Sequence, residues 1–328
     1  VMSTSAACVV AYDDTRTASV TATREGDIIY RARVAHGDAD EADASSWDVV
    51  ARDSSPQGAA VVAVALTDAA HGRIIASASA SGDVTFFRVS HSDEGSSLSR
   101  VGYAATGTPT GGVAFAPAGL RAFHAPTLAF AGADGVLRFF APRDASTATA
   151  WEEVGTYEGK TPGAALTSVA WRRGGETSGV VDFPVIATTA TYSSDREHSI
   201  AVNVLAYDAT YARWNLLKEI RGGSLPTRAE LTARARCSTW SPTTTARGAL
   251  DLAIVAGTQC VIYEFTGVTV NSVESAREIG MLAHDYEVNN ASWNASGSAL
   301  ATAARDGVVR LWTANLQSGA WQEYAETK

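Results

Sequence analysis

Six times along this chain a short run of apolar and small residues ends in a large side chain. The runs are Val9-Val10-Ala11-Tyr12, Val62-Ala63-Val64-Ala65-Leu66, Val113-Ala114-Phe115, Val169-Ala170-Trp171, Ser238-Thr239-Trp240 and Ala291-Ser292-Trp293. The closing residues Tyr12, Leu66, Phe115, Trp171, Trp240 and Trp293 are separated by 54, 49, 56, 69 and 53 residues. Runs this short, rich in Val, Ile and Thr and bounded by polar stretches, predict strands. Their recurrence predicts a repeated structural unit.

Each unit reads as a small meander. In the third, Gly112 to Phe115 predicts a first strand and Leu128-Ala129-Phe130-Ala131 a second. Asp134-Gly135 then predicts a tight type I′ hairpin turn, and Val136-Leu137-Arg138-Phe139-Phe140 a third strand. The sixth unit repeats this with Leu300-Ala301-Thr302-Ala303, Asp306-Gly307 and Val308-Val309-Arg310-Leu311-Trp312. Gly26-Asp27 and Gly82-Asp83 serve the first two units, while Ile200 to Tyr207 and Val261-Ile262-Tyr263 are third strands without a clean turn pair. A second tryptophan, Trp47, Trp151, Trp214 or Trp321, marks a fourth strand in most units. His36 to Ser46, His91 to Gly107, Arg172 to Ser178, Tyr192 to His198 and Thr243 to Gly248 are polar and expected to be loops. Four short strands per unit predict an all-β chain, a six-bladed β-propeller of the WD-repeat class, whose blades take ~40–45 residues before loop insertions. The chain is expected to form one domain over 1–328, with blades near 7–54, 58–104, 110–158, 164–220, 232–283 and 286–326.

Composition narrows the function. The chain carries 35 acidic and 26 basic residues. With no Lys/Arg stripe to neutralise phosphates, direct nucleic-acid binding is not expected. Cys8, Cys237 and Cys260 are scattered, which fits a reducing compartment better than a disulfide framework. No run reaches the ~18 apolar residues of a membrane span, and no secretory signal is expected. Val9 already belongs to the first unit, and Trp321-Gln322-Glu323-Tyr324 gives the sixth its own fourth strand, so no strand is left to latch a ring. The expectation is an open propeller whose exposed faces are covered by strands from a partner.

The segment His284 to Asn315 resembles the last blade of the Seh-type WD-repeat nucleoporins. The resemblance lies in Val288-Asn289-Asn290-Ala291-Ser292-Trp293-Asn294, Asp306-Gly307-Val308-Val309-Arg310-Leu311-Trp312 and Ala314-Asn315. Val113-Ala114-Phe115-Ala116-Pro117 and Ala133 to Phe140, running on through Ala141-Pro142 to Trp151, resemble that family's third blade. The Trp-Asp ending is absent from every blade. This resemblance implies a non-catalytic scaffold of the nuclear pore outer ring, with an α-solenoid nucleoporin donating an inserted blade beside other scaffold nucleoporins. It also implies a vacuolar/lysosomal nutrient-signalling assembly. The alternatives are the related Sec-thirteen-type vesicle-coat scaffold and a generic WD-repeat adaptor. Partner contacts are expected near Val9, Val10, Tyr12, Ala291 and Trp293.

Chemistry finds little purchase in the sequence. His284, Thr302, Asp306 and Trp312 suggest a triad at first sight. In blades of this class they instead tie the outer loop to the turn and third strand, so a structural network is expected. Asp38-x-Asp40-Glu41-x-Asp43 lacks the glycine and terminal glutamate of a calcium loop. Gly107 to Gly112 lacks the Gly-Lys-Ser/Thr ending that holds phosphates. A propeller enzyme would need acids, histidines or a metal on the inner strands, which are mainly Val, Ala, Ser and Thr. No catalytic residue, metal or cofactor is expected.

Overall fold

The computed structural model describes residues 7–12, 17–23, 25–33, 47–54, 60–92, 95–120, 122–159, 163–173, 183–192, 200–222, 225, 235–245, 248–315 and 318–327. Among them lie six four-stranded antiparallel sheets, each made of four consecutive strands, which is the architecture of a β-propeller.

The first sheet comprises β1 (Ala7–Tyr12), β2 (Ala18–Thr23), β3 (Asp27–Arg33) and β4 (Trp47–Ser54). The second comprises β5 (Val61–Leu66), β6 (Ile74–Ser79), β7 (Asp83–Ser92) and β8 (Gly95–Ala105). The third holds β9 (Thr110–Phe115), β10 (Leu128–Gly132), β11 (Val136–Asp144) and β12 (Thr149–Glu158). The fourth holds β13 (Ala164–Trp171), β14 (Val185–Tyr192), β15 (Ile200–Asp208) and β16 (Arg213–Arg221). The fifth runs β17 (Ala235–Trp240), β18 (Leu250–Ala256), β19 (Gln259–Thr266) and β20 (Ser275–Ala283). The sixth runs β21 (Val288–Trp293), β22 (Ala299–Ala304), β23 (Val309–Ala314) and β24 (Trp321–Thr327). The contacts divide the chain into two compact units, one of 1–118, 123–133 and 137–156 and the other of 119–122, 134–136 and 157–328.

Two expectations are corrected. The stretch from His91 to Gly107 is not a loop: β7 runs to Ser92 and β8 from Gly95 to Ala105. Its Ser and Gly residues look like a turn, but an outer strand needs only backbone partners and tolerates polar side chains. The Asp-Gly turns are not type I′. Asp134 and Asp306 keep negative φ, and only Gly135 (+85°) and Gly307 (+76°) are left-handed. The third sheet's hairpin is therefore a three-residue loop, Ala133-Asp134-Gly135, closed by an αL glycine. The fifth sheet does have a tight turn, Gly257-Thr258, with Gly257 at φ +61°.

Register is irregular in a repeated way. The ladder between first and second strands shifts by one residue in all six sheets, for example between Val288 and Asn290 in the sixth. Such bulges re-aim the strand that carries them. The cores lie between sheets. Tyr30, Val20, Leu66 and Phe87 join the first and second, and Phe86, Phe130 and Trp151 the second and third. Val204, Trp240 and Phe265 join the fourth and fifth, and Ile262, Trp293 and Trp312 the fifth and sixth. Second strands such as Ile74-Ile75-Ala76 read as continuous apolar runs because both of their faces are covered.

Candidate functional site

One ridge recurs on the sheets. The large residue closing the first strand packs against a ring near the start of the fourth strand of the same sheet. The pairs are Tyr12–Trp47 at 6.0 Å, Phe115–Trp151 at 6.1 Å, Trp171–Trp214 at 5.8 Å and Trp293–Trp321 at 5.7 Å between centroids. In the fifth sheet that outer position is Ala276, and Phe265 supplies the ring, 5.6 Å from Trp240. The indole N–H of Trp293 donates to the Thr239 carbonyl at 3.1 Å, and that of Trp240 to Ala170 at 3.2 Å. Each anchor is thereby fixed to the residue just before the anchor of the preceding sheet.

Against this pattern two faces stand out. Leu66, Trp171, Trp240 and Trp293 are all buried, but Tyr12 is 51 % exposed, and Val10 on the same face is 49 % exposed. In the first sheet every residue of β2 is buried, while β3 is exposed at its end, at Arg33. The sixth sheet differs more. The second strands of the first three sheets are buried throughout, and those of the fourth and fifth nearly so. In β22 burial alternates: Leu300, Thr302 and Ala304 are buried, whereas Ala299, Ala301 and Ala303 are only partly covered. Their cross-strand partners Thr313, Leu311 and Val309 are likewise partly exposed, and Ser292 and Asn290 on β21 are exposed. One face of the sixth sheet packs on the fifth; the other carries small and aliphatic side chains that are partly exposed.

The five expected partner residues therefore separate. Val10 and Tyr12 present side chains to solvent, and Val9 packs partly against the core between the first and second sheets. Ala291 and Trp293 are 7 % and 5 % exposed and belong to the core against the fifth sheet, so their side chains are not offered to a partner. On this strand the exposed side chains are Asn289, Asn290 and Ser292. Sequence reasoning did not single out Ala299, Ala301 and Ala303, and composition carries no signal for them: β2, with Ser19, Thr21 and Thr23 among small and apolar residues, is mixed in the same way and buried throughout.

The polar group in the sixth sheet is built around Thr302. Its hydroxyl lies 2.8 Å from His284 Nε2 and accepts the Trp312 indole N–H at 2.8 Å. His284 Nδ1 lies 3.2 Å from the Leu282 carbonyl, which fixes Nδ1 as donor and Nε2 as acceptor from the threonine. Burial holds the imidazole below its ordinary pKa. Asp306 takes no part in this chain. It accepts from the Val308 amide at 3.0 Å and from Arg310 Nη2 at 2.8 Å, and the Arg310 hydrogen bond lowers its pKa. With Thr302 1 % exposed, a substrate has no path to the one hydroxyl of the group. The arrangement ties the loop before β21 to β22 and β23; it does not position a reaction.

The acidic cluster from Asp38 to Asp43, His36 and His198 lie outside the described residues. Among the described residues no group of His, Cys, Asp or Glu is arranged to hold a metal ion. Burial raises the pKa of Cys237 to about 11 and that of Cys260 further, so neither is a ready nucleophile. No described helix is long and apolar enough to cross a membrane.

The family model described as WD domain, G-beta repeat matches residues 277–313. No curated protein matches the chain. The matched segment begins in β20 and ends in β23, so the repeating unit of sequence is the outer strand of one sheet followed by the inner three of the next. The repeat and the six sheets support a WD-repeat propeller, and with it a scaffold that binds other proteins.

Proposed function

We propose that this chain is a non-catalytic scaffold subunit of the nuclear pore outer ring, located at the nuclear envelope, that binds an α-solenoid nucleoporin by accepting its β-strands. The observation that carries the reading is a face of the sixth sheet whose small and aliphatic residues, Ala299, Ala301 and Ala303 with Val309 and Leu311, stay partly exposed. Apolar sheet faces are covered in stable assemblies, and strand addition supplies both backbone partners and side-chain contacts. The sequence resemblance over His284 to Asn315 points to the outer-ring solenoid as donor, and to a vacuolar/lysosomal assembly as a second location.

Co-expression of the full chain with the amino-terminal segment of the outer-ring solenoid tests this. A stoichiometric complex with a raised melting temperature is expected. Capture of a vesicle-coat solenoid alone would move the chain to the Sec-thirteen-type role. Failure to bind either would overturn the strand-accepting reading.

A further inference from the structure

The side chain of His284 joins two sheets, and the join fits only the neutral imidazole. The residue follows β20, and its amide donates to the Thr258 carbonyl of the fifth sheet at 2.9 Å. Its ring reaches across to the sixth sheet, where it meets Trp312 at 5.3 Å between centroids and the Thr302 hydroxyl at 2.8 Å. Each hydrogen along this path has one place. The Leu282 carbonyl can only accept, so Nδ1 carries a hydrogen. The Trp312 indole can only donate, so the Thr302 oxygen accepts from it. The threonine hydrogen then bonds Nε2, which must be bare to receive it. A hydroxyl has one hydrogen, and among the described residues this one has only these two partners. Thr302 is 1 % exposed, so water supplies no third.

A proton added at Nε2 turns that acceptor into a donor. Two N–H groups then point at one oxygen, and the threonine hydrogen is left without an acceptor in a buried contact, which costs free energy. At Nδ1 the ring meets the Leu282 carbonyl and not a carboxylate, so no anion is set to hold the charge. The charged groups nearby oppose one another. Arg310, across the ladder from Thr302, disfavours the imidazolium, and Glu323 on β24 favours it. Glu323 lies 3.9 Å from the Arg310 guanidinium, and Asp306 is paired to the same arginine at 2.8 Å, so both carboxylates are shared with a cation. Burial acts in the same sense as Arg310 and holds the ring below its ordinary pKa. We infer that His284 is an acid-released latch: neutral, it ties the end of β20 to β22 and β23, and on taking a proton from solvent it leaves Thr302 and lets water reach the Trp312 indole. The connection that follows stays held at its far end. There the Arg305 amide donates to the Glu287 carbonyl at 2.9 Å, and the two side chains pair at 3.0 Å. The opening is therefore local.

The Trp312 indole N–H reports the latch in the full chain. Its hydrogen exchange is followed by NMR at pH 7.5 and pH 5, each rate divided by that of free tryptophan at the same pH. The Trp240 indole, which donates to the Ala170 carbonyl, is the reference within the same molecule. The Trp312 ratio is expected to rise roughly tenfold or more on acidification while the Trp240 ratio holds. In His284→Gln, whose amide keeps an acceptor for Thr302 but binds no proton, the Trp312 ratio is expected to stay constant. No rise in the parent would overturn the latch. An equal rise in His284→Gln would do the same, since another group would then be titrating. An equal rise at Trp240 would overturn the local opening in favour of loosening of the whole fold. Should His284→Gln fail to fold, the parent alone decides. The midpoint of the indole change must coincide with that of the His284 imidazole, read from its ring carbon shifts, and separate midpoints would overturn the proposal.

Discussion

Gly280 lies directly beneath the indole of Trp321: a Cβ built on it would meet Cδ1 at 2.4 Å, Cγ at 3.0 Å and Nε1 at 3.1 Å. The glycine is there for proximity and not for its backbone freedom, since its φ is not left-handed. Gly280→Ala should destabilise the chain by about 1–3 kcal/mol, the usual cost of overpacking. Adding Trp321→Leu should recover part of that loss, because the two residues share one space. Urea unfolding of both single variants and the double gives the coupling; strict additivity would mean that the contact does not limit packing.

Thr302 joins two groups that have nowhere else to turn. Thr302→Val keeps its shape but leaves the Trp312 N–H without its acceptor and His284 Nε2 without its donor. A loss of about 1–3 kcal/mol is expected, with Thr302→Ser retaining most of the stability. Because burial lowers the folded-state pKa of His284, its contribution is present above the ordinary histidine pKa and fades as pH falls through the folded value. Equilibrium unfolding from pH 7.5 to pH 5 checks both statements, and a His284→Gln variant should flatten that part of the profile.

Asp251 works in the opposite sense. Its Oδ1 is buried without a hydrogen-bond partner, and it faces Glu264 across β18 and β19. Arg277 is already engaged with Glu264, at 2.7 Å and 2.6 Å. Burial, then the charge of Glu264, push the Asp251 carboxyl up to about 6, with Arg277 pulling it back. A carboxyl raised on folding stabilises below its unfolded pKa and loses that contribution as pH rises through the folded one. Stability attributable to Asp251 should therefore fall between about pH 4 and pH 6. Asp251→Asn should exceed the parent by on the order of 2 kcal/mol at pH 7 and match it near pH 3.5. A constant difference across that range would show that the carboxyl is not the titrating group.

Tyr12 and Trp293 occupy equivalent places and should respond differently to truncation. Trp293 is buried, hydrogen-bonded to Thr239 and packed on Trp321, so Trp293→Ala should cost about 3–5 kcal/mol. Tyr12 is half exposed and makes one edge contact with Trp47; Tyr12→Ala should cost about 0.5–1.5 kcal/mol. Thermal melts of the two variants decide it, and similar melting points would mean that Tyr12 is covered in solution.

The repeated anchors made the fold legible, because a large residue closing a first strand is dictated by packing within each sheet. Trp47, Trp151, Trp214 and Trp321 marked fourth strands for the same reason. The second sheet's outer strand was hidden because Gly95-Ser96-Ser97 reads as a turn and Leu98 replaces the tryptophan. Gly102 and Gly280 were illegible as well: they sit in unremarkable polar or mixed surroundings, and their reason, the indoles of Trp151 and Trp321, lies on a neighbouring sheet. The candidate site was the least readable part. Whether Ala301 is covered depends on what packs above it, and the strand pattern that buries Trp293 is the same one that leaves Ser292 outside.

The offset between sequence unit and sheet has an evolutionary corollary. Excision of a segment such as 277–313 removes one outer strand and the next three inner ones. What remains is β17, β18 and β19 followed by β24, again a full set of four in meander order. Loss or duplication of a unit cut at these points thus conserves the number and order of strands in every sheet that remains.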